Sequence, residues 1–143
     1  MKLGSPYSWV AALAKLTGSI DRLGRPVVRV EVSGGDGFLA LVDTGFNGEL
    51  IMAEPDARVL GFAVSTKIAS ATLAGGQVQR LFEGTGSIHW MGAVRRVELF
   101  VSPAVPARRM DDDPIAIIGT RLLTPHLLLI DFASRSVEIE TQG

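Results

Sequence analysis

A small all-β barrel is the fold class that this sequence of 143 residues predicts. Short runs rich in Val, Ile, Leu and Phe are separated by turns that use many of the 16 glycines and 7 prolines, a pattern typical of many short strands. Hydrophobic residues make up 47% of the chain, which is too apolar for a disordered protein. Since the length matches one domain, we expect a single closed barrel with one or two short helices.

The first 23 residues are expected to form an extension, and the barrel domain is expected to span 24–143. Residues 8–16 have the spacing of a short amphipathic helix that packs Trp9, Leu13 and Leu16 on the barrel, with Thr17-Gly18 ending it. The alternative is that this segment is the cut end of a longer chain.

Strand signals begin at residue 25. Residues 27–32 alternate, so that Val28, Val30 and Val32 share one face and two charged residues share the other. A Gly-rich turn over 33–37 then leads to a continuous apolar strand over 38–42, and the pair is predicted to form a hairpin.

The remaining elements are predicted in chain order from the same signals. They are one or two helical turns over 54–60 stopped by Gly61, a hairpin of strands 64–73 and 77–83 around Gly75-Gly76, a hairpin of strands 87–90 and 94–101 around Met91-Gly92, a loop over 102–114, a strand over 115–118, a short helix from 119 that Pro125 ends, and closing strands 127–130 and 136–140.

Composition and motifs exclude several functions. The chain has no cysteine, so it has no disulfide, thiol nucleophile or cysteine zinc site, and a net charge of −1 excludes a broadly basic nucleic-acid binder. His89 and His126 lack metal-ligand spacing, and no phosphate-binding or serine-hydrolase motif occurs, so we expect neither metal nor cofactor. The apolar run 9–14 is too short to span a bilayer and too short for a signal core, which indicates no membrane contact and favours a cytoplasmic location.

The most informative residue is Asp43, which follows the apolar strand 38–42 directly. Burying an unpaired carboxylate costs several kcal/mol, so Asp43 either caps backbone N–H groups in a tight turn or is poised for chemistry. The hydroxyl of Thr44 can bond to a nearby group, and Gly45 permits close approach of another segment.

This segment resembles the active-site loop of the retropepsin-like aspartic proteases, in which Asp-Thr-Gly follows an apolar strand. Gly119, preceded by Ile117-Ile118, resembles the second signature of that family, and the closing strands match its bacterial members. The resemblance covers about residues 24–141. It implies a closed barrel of the acid-protease type, with Asp43 as the catalytic carboxylate, and Thr44 and Gly45 shaping the loop.

The resemblance also implies a flap that binds substrate, formed by Ala74, Gly75, Gly76 and Gln77. Two departures stand out: the only tyrosine is Tyr7, far from that hairpin, and the chain has a single Asp-Thr-Gly. Peptide hydrolysis by this chemistry needs two carboxyl groups about 3 Å apart. The resemblance therefore implies an aspartic endopeptidase that acts on peptides or proteins as a homodimer, with the second Asp43 coming from the second copy.

Two alternatives stay open. One is a catalytically silent domain of the same fold that serves dimerisation or peptide binding. The other is a β-barrel that binds nucleic acid through its arginines, although Arg95-Arg96 and Arg108-Arg109 are expected to be solvated strand-end and loop charges. We therefore expect no nucleic-acid partner.

Overall fold

The structure, a computed structural model, describes residues 14–72, 74–103, 110 and 112–142. The described residues form ten strands and two short α-helices, with a single turn of 3₁₀ helix at Ala74–Gly76. In chain order these are β1 (Lys15–Ile20), β2 (Pro26–Val32), β3 (Gly37–Val42), β4 (Leu50–Ala53), α1 (Glu54–Val59), β5 (Ala63–Thr72), β6 (Val78–Trp90), β7 (Ala93–Ser102), β8 (Ala116–Ile118), α2 (Thr120–Leu123), β9 (Leu127–Asp131) and β10 (Ser136–Glu140).

Six of the strands in the described chain close into a barrel. They are hydrogen-bonded in the order β6-β7-β4-β8-β3-β2, and β2 pairs back to β6 through Glu31 with His89 and Val32 with Ile88. Beyond β2 the sheet continues through β1 and β10 to β9, and β5 lies outside β6. The predicted fold class, an all-β closed barrel with two short helices, is confirmed.

Side chains from alternate residues along the strands fill the barrel, as β2 shows. Val28, Val30 and Val32 of β2 are buried, whereas Arg29 and Glu31 are exposed, as the period-two pattern predicts. Each such buried side chain stabilises the fold by about 1.5–3 kcal/mol. These valines belong to the larger of the two apolar clusters, which the barrel strands share with β1, β10 and the two helices.

Helix α1 forms where the sequence predicts one. Pro55 stands in its first turn, and Arg58 forms an ion pair of 2.7 Å with Glu54 one turn earlier. Gly61 has φ +81, a conformation that favours glycine, and it turns the chain into β5. Neither helix in the described part of the chain has the length or the apolar character that a bilayer span requires.

Three local predictions need correction. Lys15 and Leu16, expected at the end of a helix, lie in β1 because this segment pairs with β10 and β2; the rest of that helix lies outside the described residues. Residues 78–90 form one strand, where two were expected, because β6 pairs with β7 without interruption from Phe82 to Trp90. A Cβ atom added at Gly84 or Gly86 would clash with Ala63 or Phe62, so these glycines serve close packing within the strand. Strand β4, which was not predicted, pairs with β7 and β8.

Candidate functional site

Strand β8 lies between β3 and β4 and supports the loop that connects those two strands. Val42 pairs with Ile118 in a parallel ladder, and Leu50 pairs with Ile118 from the other side. The N–H of Asp43 donates to the carbonyl oxygen of Ile118 over 2.9 Å. Residues 43–49, which we call the Asp43 loop, therefore start and end against the same short strand.

The carboxylate of Asp43 is half-buried and holds its own turn. Its Oδ1 accepts a hydrogen bond of 2.8 Å from the N–H of Gly45, and its carbonyl oxygen accepts one of 3.2 Å from Phe46. Within the described residues of one chain, Oδ2 has no hydrogen-bond partner, and neither does the exposed hydroxyl of Thr44. The residue thus caps a turn and still keeps one carboxylate oxygen for other contacts.

The segment around Gly119 packs directly on the Asp43 loop. The N–H groups of Gly119, Thr120 and Arg121 donate to the carbonyl oxygens of Glu49, Phe46 and Gly48 over 3.1, 2.8 and 3.1 Å. A Cβ atom at residue 119 would lie 2.5 Å from the carbonyl oxygen of Phe46 and closer still to that of Gly48. Only glycine leaves room for this contact, so the two segments that carry the family resemblance lie together in the structure.

Phe46 connects the loop to the long hairpin of β5 and β6. Its ring is fully buried in a small cluster with Ile51, Ala71 and Leu81, separate from the barrel core, and it meets Phe100 edge-to-face at 6.1 Å between ring centroids. Ala71 and Leu81 lie in the two arms close to the tip of the hairpin, so this end of the hairpin packs against the Asp43 loop through Phe46.

The tip of that hairpin carries the predicted flap residues Ala74, Gly75, Gly76 and Gln77. Gly75 and Gly76 have φ +84 and +78, which explains the pair of glycines. Residues 75–77 are exposed, and no hydrogen bond joins this tip to the Asp43 loop within the described residues. Their part in binding substrate stays a prediction.

Glu49, at the end of the Asp43 loop, is a site residue that the sequence did not reveal. It is the buried charged residue of the described chain, 9% exposed. Its Oε2 lies 2.6 Å from Nη2 of Arg95, and its Oε1 accepts a bond of 2.7 Å from the N–H of Glu98. The prediction that Arg95 is a solvated strand-end charge is therefore wrong, because the guanidinium turns inward to this carboxylate. The available signal was an acidic residue directly before four apolar ones.

A pocket of about 510 Å³ lies beside the loop. Its lining comes from the end of the Asp43 loop (Gly48 and Glu49), from the arms of the β5–β6 hairpin, from β7 and from Arg121. Asp43 is not among the lining residues. The pocket therefore adjoins the Asp43 loop at its far end, away from the carboxylate.

The two histidines lie on different elements. His89 is exposed on β6, and His126 is half-buried with its ring centroid 6.2 Å from that of Trp90. Nδ1 of His126 and Nε1 of Trp90 are buried without a hydrogen-bond partner in the described residues. Burial, and then the positive charge of Arg95, lower the pKa of His126 below its usual 6.5.

We expect His126 to make the stability of the protein depend on pH. Because its pKa is lower in the folded chain, the unfolded chain binds more protons as the pH falls through about 6.5, and the free energy of unfolding decreases there. We expect urea unfolding to give a lower stability at about pH 5.5 than at about pH 7.5. The variant His126→Gln should reduce that difference, and an unchanged difference would contradict the assignment.

Comparison with known proteins finds similarity at the level of structure. A crystal structure of a retropepsin-like aspartic protease from Rickettsia conorii superposes with a TM-score of 0.60, with 19% sequence identity and 90% of each chain covered. No protein-family model matches this chain, and no curated protein matches it by sequence. The similarity establishes that the fold is of the retropepsin-like type.

Proposed function

We propose that this chain is an aspartic endopeptidase that works as a homodimer. Two Asp43 carboxyl groups, one from each copy, would activate the water that hydrolyses the peptide bond. The observation that carries the proposal is the state of Asp43. Its carboxylate stands at the end of β3, where one oxygen accepts from Gly45 and the other has no hydrogen-bond partner among the described residues. The Gly119 segment supports this loop from behind. A retropepsin-like fold around that loop supports the same chemistry.

The reaction needs both carboxyl groups in different protonation states. Two carboxyl groups about 3 Å apart share one proton, because both cannot ionise easily. The ionised group takes a proton from water, and the water oxygen forms a bond to the carbonyl carbon of the substrate. The protonated group donates its proton to the carbonyl oxygen. Collapse of the resulting gem-diol breaks the C–N bond. The leaving nitrogen takes the proton that the first carboxyl group removed from water, and a hydroxyl of the diol gives its proton back to the second carboxylate, which restores the starting pair.

Thr44 and Gly45 are proposed to shape this pair. The N–H of Gly45 fixes Oδ1 of Asp43, which sets the direction of the free oxygen. The exposed hydroxyl of Thr44 is available to the loop of the second copy, since it has no hydrogen-bond partner within the described residues of its own chain. Both features favour a rigid pair, which general acid–base catalysis requires.

The substrate is proposed to be an extended peptide held between the Asp43 loop and the β5–β6 hairpin. An extended chain can pair its backbone with a hairpin, and closure of the hairpin over it would exclude water. Gly75 and Gly76 have left-handed backbone conformations and no side chains, which supports a tip that can approach a peptide backbone closely. Ala74 and Gln77 flank them in this proposed flap.

Incubation with unfolded polypeptides over about pH 3 to 7 tests the peptidase proposal. Mass spectrometry of the products should show internal cleavage, with one molecule of water added for each bond that is broken. If no fragment forms at any pH at which the protein is folded and dimeric, the peptidase proposal fails. A specific observation favours the silent binding domain in that case, because Asp43 already has a structural role as the cap of its turn.

The second copy is proposed to dock at β9. This strand ends the sheet of the described residues, and its Leu127 and Leu129 are 39% and 48% exposed on the same face, followed by Phe132 at 63%. An exposed apolar edge strand is a template for pairing with another chain. Two β9 strands related by a two-fold axis would join the two sheets.

The variant Leu129→Lys is expected to weaken the dimer by about tenfold or more, because a lysine on an edge strand opposes edge-to-edge pairing. Sedimentation equilibrium measures the dissociation constant. Leu23→Lys, at a leucine of the β1–β2 turn that is even more exposed (61%), serves as the control and should leave the dissociation constant unchanged. A Leu129→Lys protein as dimeric as the wild type would contradict this surface, whereas a purely monomeric wild type would contradict the catalytic mechanism.

A further inference from the structure

The Asp43 loop is attached to the barrel in two different ways. All of its backbone hydrogen bonds to other elements go to residues 118–121, from the N–H of Asp43 at its start to the carbonyl oxygen of Glu49 at its end. A single charged side chain, that of Glu49, ties the described loop to a second element, β7. The end of the loop is therefore held by residues 118–121 on one side and by β7 on the other.

We propose that Glu49 is a positioning residue for the reaction at Asp43, acting through the loop and through Arg95. The inference rests on the proposed function. Glu49 is six residues from Asp43, and both join the 118–119 segment: Asp43 by donating to Ile118, Glu49 by accepting from Gly119. A shift of Glu49 relative to β7 would move the acceptor of Gly119 and, with it, the strand end that holds Asp43.

The two hydrogen-bond partners of the Glu49 side chain explain why a group with two acceptor oxygens stands here. Both Nη2 of Arg95 and the backbone N of Glu98 are donors, and a carboxylate supplies an acceptor oxygen to each. A glutamine at residue 49 has one acceptor oxygen, and its NH₂ group would face a donor. The loss would leave a buried donor unsatisfied and an arginine without its charge partner, since the described residues give Arg95 no other carboxylate within ion-pair distance.

The neighbouring charges are not equivalent to Glu49. The side chain of Glu98 is 75% exposed and lies 3.7 Å from Arg121, an outer ion pair that water screens. The Glu49–Arg95 pair has side chains only 10% and 35% exposed and a shorter distance. It is thus the stronger constraint on the loop.

The test compares Glu49→Gln with the wild type by kinetics and by amide hydrogen exchange. We expect kcat for peptide cleavage to fall by about tenfold or more, because a small displacement of a catalytic group is costly, with KM changed by less than about twofold. We also expect the amides of Asp43 and Gly119 to exchange at least about tenfold faster in NMR spectra. The exchange readout needs no substrate.

Val137→Ala, at a buried position of β10 outside the Asp43 loop, is the control for a general loss of stability, and its free energy of unfolding is measured beside that of Glu49→Gln. If it lowers kcat as much as Glu49→Gln does, or if Glu49→Gln leaves both kcat and the two exchange rates unchanged, the positioning role is wrong. If wild-type protein cleaves nothing, the proposed function fails, and the exchange rates alone decide whether Glu49 holds the loop.

Discussion

Asp43→Asn is expected to lower kcat/KM for peptide cleavage by about 10³-fold or more while the protein stays folded and dimeric. An asparagine can still accept the hydrogen bond from Gly45 through its side-chain oxygen, so the turn is kept. The asparagine side chain cannot take a proton from water, and it cannot share a proton with residue 43 of the second copy. Cleavage of unfolded polypeptides, measured together with the mass in solution, checks this result.

A matched control for this variant is Asp21→Asn. Asp21 also caps a turn through Oδ1, which accepts from Leu23 and Arg25, and it lies in the β1–β2 connection. We expect its loss to leave kcat unchanged. Equal cleavage by the wild type and Asp43→Asn would show that the activity arises elsewhere.

Mixed dimers sharpen the same prediction. When wild-type and Asp43→Asn chains exchange at equal amounts, about a quarter of the dimers keep two aspartates. Activity per wild-type chain should therefore fall to about half. Activity that stays proportional to the wild-type chains would contradict a shared pair of carboxyl groups.

Gly119→Ala is expected to destabilise the protein by about 3 kcal/mol. Residue 119 has φ −110, which any residue adopts, so the requirement for glycine is one of space. The added Cβ would meet two carbonyl oxygens of the Asp43 loop, those of Phe46 and Gly48. Urea unfolding measures the change.

Gly24→Ala separates crowding from backbone strain. Gly24 has φ +81 and no atom within 4 Å of an added Cβ, so the substitution costs only the left-handed conformation, about 1–2 kcal/mol. Gly119→Ala should therefore be the more destabilising of the two. A larger loss of stability in Gly24→Ala than in Gly119→Ala would mean that the Asp43 loop moves to accommodate the methyl group and that residue 119 is not closely packed.

Sequence patterns predicted the strands whose period is clear, and pairing over long distances decided the rest. The alternation in 27–32 was sufficient for β2. By contrast, β4 has four residues and no alternation, and it exists because β7 and β8 lie on either side of it. Leu16 is in a strand because Ile139, more than a hundred residues later, pairs with it.

The candidate site also has a part that the sequence predicts and a part that only the folded chain brings together. The segments of Asp43 and Gly119 could be paired from their resemblance to a family, and the structure brings them together through backbone hydrogen bonds. The ion pair of Glu49 with Arg95 joins residues 46 positions apart that share no local pattern. The roles of Thr44, Gly45 and residues 74–77 in catalysis and substrate binding stay predictions.

The position of β8 between β3 and β4 has a consequence for how the protein is made. A chain emerging from the ribosome carries Asp43 early, but the strand that supports its loop arrives only with residues 116–118. Contacts between segments so far apart in sequence form late and fold slowly. We therefore expect nascent and truncated chains to lack an assembled Asp43 loop, so that the proposed peptidase activity would require synthesis of residues 116–118 as well as the meeting of two copies.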